Sequence, residues 1–312
     1  MPSLKHNTNF IINEALKLGF IETGISEVSI LSEEKPRLIN WLKTGQNGEM
    51  YYMENHFDKR IDISELVPGA RSVISLLYNY YTVKELEKTS FRLSRYAYGK
   101  DYHKVLKKKL KQLLRIVKNE IPEADGRYFV DSAPVLERAW ARKSGLGWIG
   151  KSTMLINPKA GTFFFLAELV LNIKLEYNTQ IIADHCGKCR RCIESCPTGA
   201  ISEHGYQIDA RKCISYLTIE NKKEIPYSFY GKMDNYIFGC DICQLVCPWN
   251  KFAKEHSETD FLPKAQLINM ENDDWKYLNS DEFDNLFHSS PLKRAKFYGL
   301  KRNIDFVSNK RD

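Results

Sequence analysis

The run "HCGKCRRCIESCPTGAI", residues 185–201, sets Cys186, Cys189 and Cys192 with two residues between each and adds Cys196 after three more, directly before Pro197. Three thiolates so closely spaced grip one 4Fe-4S cube, and the fourth, before proline, reaches a second cube. A two-cluster module needs eight thiolates. The run "GCDICQLVCPWN", residues 239–250, adds Cys240, Cys243 and Cys247 before Pro248. One more is required, and Cys213 in "ARKCISYL" is the only cysteine left.

Crossing the ligands as bacterial ferredoxins do puts one cluster on Cys186, Cys189, Cys192 and Cys247, and the other on Cys196, Cys213, Cys240 and Cys243. Zinc also binds pairs of C-x2-C, but runs that end in Cys-Pro fit it badly. A disulfide scaffold would spread its cysteines through the chain, whereas here all eight lie between residues 186 and 247. Two low-potential centres imply a reductive task, or a conduit to one.

At 312 residues the chain exceeds the usual size of a single core, which predicts more than one domain. We expect a domain over 1–178, a cluster module over 179–255 and a basic extension over 256–312. No apolar run reaches the length of a membrane span, and the N-terminus carries charges inside a helical pattern, so no membrane partner and a cytoplasmic location are expected. Net charge is +7. Part of the excess lies in "HKVLKKKLKQLLRIVK", where Lys104, Lys108, Lys111, Arg115 and Lys118 line the face opposite a leucine stripe, and part in "PLKRAKFYGLKRN". Such patches suit an anionic partner such as nucleic acid, although most basic stripes are solvated helix faces.

The stretch "SGLGWIGKST", residues 144–153, matches the phosphate-loop pattern G-x-x-x-x-G-K-[ST] letter for letter. That pattern binds nucleotide only when a strand enters and a helix leaves. Here "PVLERAWARKSG" has helical periodicity and "TMLI" reads as a strand, so the order is inverted. The loop needs another ligand. Helical patterns near 9–19, 36–46, 103–119 and 134–144 alternate with the strand-like "SVISLLY", "GRYFVDS" and "TFFFLAELVL", which predicts a mixed α and β layer structure. Asp131 ends "GRYFVDS" before a helix expected to start at Pro134. By position alone it reads as a helix cap, or as a carboxyl group at a strand end where sites are commonly built.

These stretches together resemble the epoxyqueuosine reductases, the cobalamin-dependent iron-sulfur enzymes of tRNA queuosine synthesis. The likeness runs through "GEMYYMENHFDKRIDISELVPGARSVI", "RYAYGKDYHKVL", "VDSAPVLERAWARKSGLGWIGKSTMLI", "FFFLAEL", "RKCISYLTIE" and both cysteine runs. It implies an α+β protein: an N-terminal α/β corrin-binding domain, a two-cluster ferredoxin-like module and a short helical C-terminal extension. It also resembles the core of corrinoid reductive dehalogenases, which remain an alternative alongside a ferredoxin-like electron carrier. Many relatives have Asp-Thr-Gly where this chain has Asp131-Ser132-Ala133, and many continue into helical repeats beyond the point where this chain stops.

The resemblance implies reduction of the epoxide of epoxyqueuosine at the tRNA wobble position. Cob(I)alamin would act, supplied by an external low-potential donor through two 4Fe-4S clusters, in a monomer. Asp131 would be the general acid, held protonated by a desolvated site that raises its pKa. Arg60, Ser94, Asp131, Leu155, Leu166 and Ser215 would lie near the cobalamin, with Arg60 equally able to form a surface ion pair. The glycine loop would wrap the corrin. Since "DYHKVL" has Leu106 where the histidine-ligating motif D-x-H-x-x-G needs glycine, the cobalt would take no histidine from the chain.

Overall fold

Alternating residues of "FFLAELVL" face two different environments, and that strand organises the molecule. Residues 3–178 and 180–308 are described in the computed structural model, so the expected boundary at residue 179 falls outside them. The strands are β1 (Glu22–Glu27), β2 (Ser72–Asn79), β3 (Arg92–Leu93), β4 (Gly126–Phe129), β5 (Trp148–Ile149), β6 (Leu155–Ile156), β7 (Phe164–Leu171) and β8 (Tyr236–Phe238). The main sheet has the order β1-β2-β7-β4 with every pair antiparallel. An antiparallel sheet with helices laid on its faces is an α+β arrangement, so the expected α/β character of the N-terminal part gives way to it.

The helices are α1 (Leu4–Lys17), α2 (Glu34–Lys43), α3 (Phe57–Ile61), α4 (Tyr102–Glu120), α5 (Glu137–Lys143), α6 (Arg191–Glu194), α7 (Ile214–Ile219), α8 (Ile242–Leu245), α9 (Ala265–Asn269), α10 (Asn272–Tyr277), α11 (Ser280–Phe287) and α12 (Lys296–Ser308). On one sheet face Phe165, Ala167, Leu169 and Leu171 pack with Ile11 and Ala15 of α1 and with Leu106, Leu110, Leu113 and Val117 of α4. The five cations predicted on α4 are all exposed. On the other face Val73 and Val170 meet Ala139 and Trp140 of α5. That helix starts at Glu137 rather than Pro134, because Ala133 to Val135 form a tight turn first. β1 was not foreseen, since "ETGISE" alternates poorly and Gly24 weakens the pattern. Gly24 is needed there, as a Cβ would come within 2.3 Å of the Ser144 carbonyl.

The glycine loop lies where its inverted order requires. Helix α5 runs into Gly145, at φ 75°, and β5 and β6 then pair as a small hairpin with Gly150 to Met154 as its turn.

Residues 265–308 are mostly helical as expected, but they are not an appendage. Trp275, Phe283, Phe287, Leu292, Leu300 and Ile304 share one apolar cluster with Leu86, Phe91 and Leu93. Phe261 enters the main core beside Tyr78. Residues 3–178, 180–255 and 256–308 therefore pack through common cores.

Candidate active site

β4 ends at Phe129 and the chain turns at once, placing Asp131 beside the middle of the sheet, where Phe129 is paired with Glu168 of β7. The Asp131 backbone is left-handed at φ 54°, a region that short polar residues tolerate and branched ones resist. Its N–H donates to the Glu137 carboxyl at the start of α5. The cap reading fails. The cap position of α5 belongs to Leu136, with no side-chain bond, and the Asp131 carboxyl turns instead toward α4.

There Tyr102 Oη donates to Asp131 Oδ2 at 2.6 Å, and His103 Nε2 lies 3.2 Å from the same oxygen. Behind it, His103 Nδ1 is 2.7 Å from Asp101 Oδ1. Asp101 is the N-cap of α4 and accepts from the His103 backbone, so the start of that helix aligns acid, imidazole and acid. The Tyr102 ring is stacked between His103 at 4.1 Å and Phe165 at 4.2 Å. Its position is thereby locked from both sides.

Burial pushes the Asp131 carboxyl up, but the bonds from His103 and Tyr102 pull it down more strongly, so it sits below its ordinary value. This reverses the expectation of a raised, protonated Asp131, because sequence reading supplied the desolvation and not the donors. Burial lowers His103 while Asp101 and Asp131 raise it, and the carboxylates win, carrying it to about 9. At neutral pH the proton is on His103. The Asp131 side chain is 58% exposed and still desolvated, which describes a group on the floor of a concavity. Around the rim Arg294 forms a two-pronged ion pair with Glu220 and lies over the Tyr52 ring.

Beneath the floor is a second acid pair. Glu168 points from β7 toward α5, is fully buried, and faces the Glu137 carboxyl. Burial and then the nearby Glu137 raise its pKa well above the usual range, and burial with the Asp131 charge raises Glu137. The pair is held neutral or nearly so. A glutamate inside "FFFLAELVL" was the available signal, as was the Asp-x-His spacing of "DYH" for His103. Sequence reading passed over Glu168 and weighed "DYH" only as a failed histidine-ligand motif.

The other expected cofactor residues lie in different settings. Arg60 is buried, and its guanidinium donates to the carbonyls of Tyr52 at 2.7 Å and Asn55 at 3.3 Å, so it holds the 50s loop and is no surface ion pair. Ser94 is buried and donates to Asp241, between two cysteines of the second run. Leu155 is buried, whereas Leu166 is half-buried on the same sheet face as Glu168. Ser215 is half-buried and bonds the Cys213 thiol.

The eight thiols form two sets that feel one another. Burial raises Cys192, followed by Cys186, Cys189 and Cys247; burial raises Cys243, followed chiefly by Cys240, Cys213 and Cys196. Among the described residues no three His, Cys, Asp or Glu converge tightly enough for a single metal ion. The indole N–H of Trp148, buried without a bonding partner, lies beside Cys186 and gives a cluster there a donor.

Comparison with known proteins agrees with this geometry. The model of the 4Fe-4S double cluster binding domain matches residues 185–250, and that of epoxyqueuosine reductase QueG, DUF1730, matches residues 60–132. Epoxyqueuosine reductase from Cellulophaga algicola is 52% identical over 307 residues, which cover 98% of this chain and 100% of that one. An epoxyqueuosine reductase solved with an epoxyqueuosine-modified tRNA-Tyr stem loop aligns with a TM-score of 0.86 at 28% identity, covering 96% of this chain and 80% of that one. The Bacillus subtilis enzyme, solved with a catalytic aspartate loop swung out of its active site, gives 0.85 at 27% with the same coverage. A double iron-sulfur module joined to a carboxylate-floored concavity defines an oxidoreductase. The chain belongs to the epoxyqueuosine reductase family.

Proposed function

We propose that the protein reduces epoxyqueuosine to queuosine in tRNA, with Asp131 and His103 delivering the proton that releases the epoxide oxygen. The carrying observation is the Asp101–His103–Asp131 line, backed by Tyr102 and opening into a concavity. Converting the epoxide to an alkene consumes two electrons and two protons and yields water. The opened oxygen is a poor leaving group until protonated, and general acid assistance of this kind contributes about 10²- to 10⁴-fold. His103 holds the proton at neutral pH, and Asp131 presents it at the floor.

The residues fit a corrin without a histidine ligand from the chain, because both nitrogens of His103 are engaged by carboxylates. The Tyr102–Phe165 stack offers apolar surface on the Asp131 side of the sheet, while Leu166 lies on the opposite face and Arg60 fixes the 50s loop. Cobalamin, when bound, supplies the two electrons to substrate. The crossed cysteine sets would hold the two clusters that feed it, Cys186, Cys189, Cys192 and Cys247 forming one and Cys196, Cys213, Cys240 and Cys243 the other. An external low-potential donor fills them. The exposed cations of α4 and the C-terminal patch supply salt-sensitive attraction for tRNA phosphates. A cytoplasmic monomer is sufficient for this chemistry.

The test is anaerobic reconstitution with cobalamin, quantification of iron, sulfide and cobalt, and turnover of epoxyqueuosine-containing tRNA. Two clusters and one cobalt per chain, with queuosine formed, are expected. Full cofactor content without conversion would overturn the reading.

A further inference from the structure

The phosphate-loop look-alike is still without a ligand, and its contacts point at the first cysteine set. Lys151 Nζ donates to the carbonyls of Gly187 at 2.6 Å and Cys189 at 3.0 Å, the two peptide units that carry the first C-x2-C pair. The Lys151 backbone N–H bonds the Cys186 thiol. A Cβ on Gly150 would come within 3.2 Å of Cys186 Sγ, so glycine there lets the loop close over the sulfur. From the other side, Tyr206 N donates to the Lys151 carbonyl at 2.9 Å, and a Cβ on Gly205 would strike the Lys151 side chain at 2.6 Å. Lys151, Ser152 and Ile156 line one cavity with Cys186, Cys189 and Cys192. The lysine is clamped, and its aim is fixed.

We propose that the loop from Gly147 to Ser152 is a cradle for the cluster on Cys186, Cys189, Cys192 and Cys247, in which Lys151 is a positioning residue that both holds the cluster loop and raises that cluster's reduction potential. The inference rests on the reading of those cysteines as cluster ligands. A 4Fe-4S centre becomes more negative on reduction, so a fixed cation and N–H donors beside it favour the reduced form. The second set has no such cation from this loop. Lys151 would therefore act on one cluster and not the other. The same backbone features that satisfy a phosphate pattern, small residues, close backbone approach and one lysine, here serve a cluster whose thiolates carry negative charge.

The test uses the full chain with both clusters reconstituted, as wild type, Lys151→Gln and Lys151→Arg. Iron and sulfide are counted, and each cluster is followed by EPR-monitored redox titration. Gln keeps N–H donors to both carbonyls and removes the charge. Its expected result is full iron, a more negative midpoint for one cluster and an unmoved midpoint for the other, with Arg near wild type. Loss of four irons from Lys151→Gln, with the second cluster intact, also supports the cradle. An unchanged midpoint with full iron, an equal shift of both clusters, or loss of both overturns it. Wild type that fails to hold two clusters would instead refute the cysteine assignment, so the two failures are told apart.

Discussion

The Asp131 floor and the cysteine module handle buried charge in opposite ways. At the floor, unlike groups are interleaved: a carboxylate, an imidazolium and a second carboxylate lie in line, and each partner moves its neighbour toward the charged form. In the module, like groups crowd together: burial first, and neighbouring thiols after it, push Cys192, Cys240 and Cys243 up, away from the thiolate needed to bind iron. The floor is organised by the protein itself. The module needs its metal, because only bound iron offsets the cost of bringing so many thiolates together. The proposed function joins the two, a preformed proton site and a metal-dependent electron site.

The largest expected effect breaks the module. In Cys213→Ala one cluster loses a ligand, and we expect about half the iron or collapse of residues 185–250, because metal binding there is folding free energy. Iron counts and thermal melts check it. Full iron in both spectra would remove Cys213 from the ligand set.

Next in size is a change at the floor that leaves the module alone. Asn tolerates the left-handed backbone of Asp131, so Asp131→Asn should fold and load its cofactors while turnover falls about 10²- to 10⁴-fold. Measured conversion close to wild type with full cobalt would show that the carboxyl is not needed.

A smaller effect separates the two members of the proton line. With His103 at about 9, turnover should hold through neutral pH and decline as pH rises through that value. In His103→Gln the alkaline limb should move, reflecting a different proton holder. A pH profile identical to wild type would assign the proton elsewhere.

The smallest effect is on stability. The raised His103 contributes stability that is full below about pH 6.5 and is lost as pH rises through about 9. Glu137, raised above its ordinary value near 4.5, acts in the same sense, since the folded state holds its proton more tightly. Denaturant midpoints should therefore fall from pH 6 to pH 9, and Glu137→Gln should flatten part of that slope. A midpoint that rises with pH in the wild type would refute both directions.

Much of this was legible beforehand. The cysteine spacing marks the module because a cube fixes which thiolates must be neighbours in sequence. β2, β4, β7 and α4 are legible because their apolar periods are regular. The crossed sets, by contrast, depended on Cys213, which no local pattern marks. His103 was hidden for a different reason: its role comes from a line through α4 and the turn after β4, and no short motif contains both. The same holds for Glu168, whose meaning comes from α5 packing on the strand. The direction of the Asp131 shift was misread because burial can be inferred from composition, while donors arriving from another helix cannot.

The apolar cluster that joins Leu86, Phe91 and Leu93 to Trp275, Phe287 and Leu300 has a consequence during synthesis. The early half of that cluster leaves the ribosome long before the late half exists. At about 5–20 residues per second, its apolar side chains wait on the order of ten seconds for their cover. Asn303, whose buried amide donates to the carbonyls of Thr218 and Ile237, closes the assembly only once α12 has emerged. Nascent chains stalled before residue 267 should therefore recruit chaperones at Leu86 to Leu93, and release should coincide with emergence of α12.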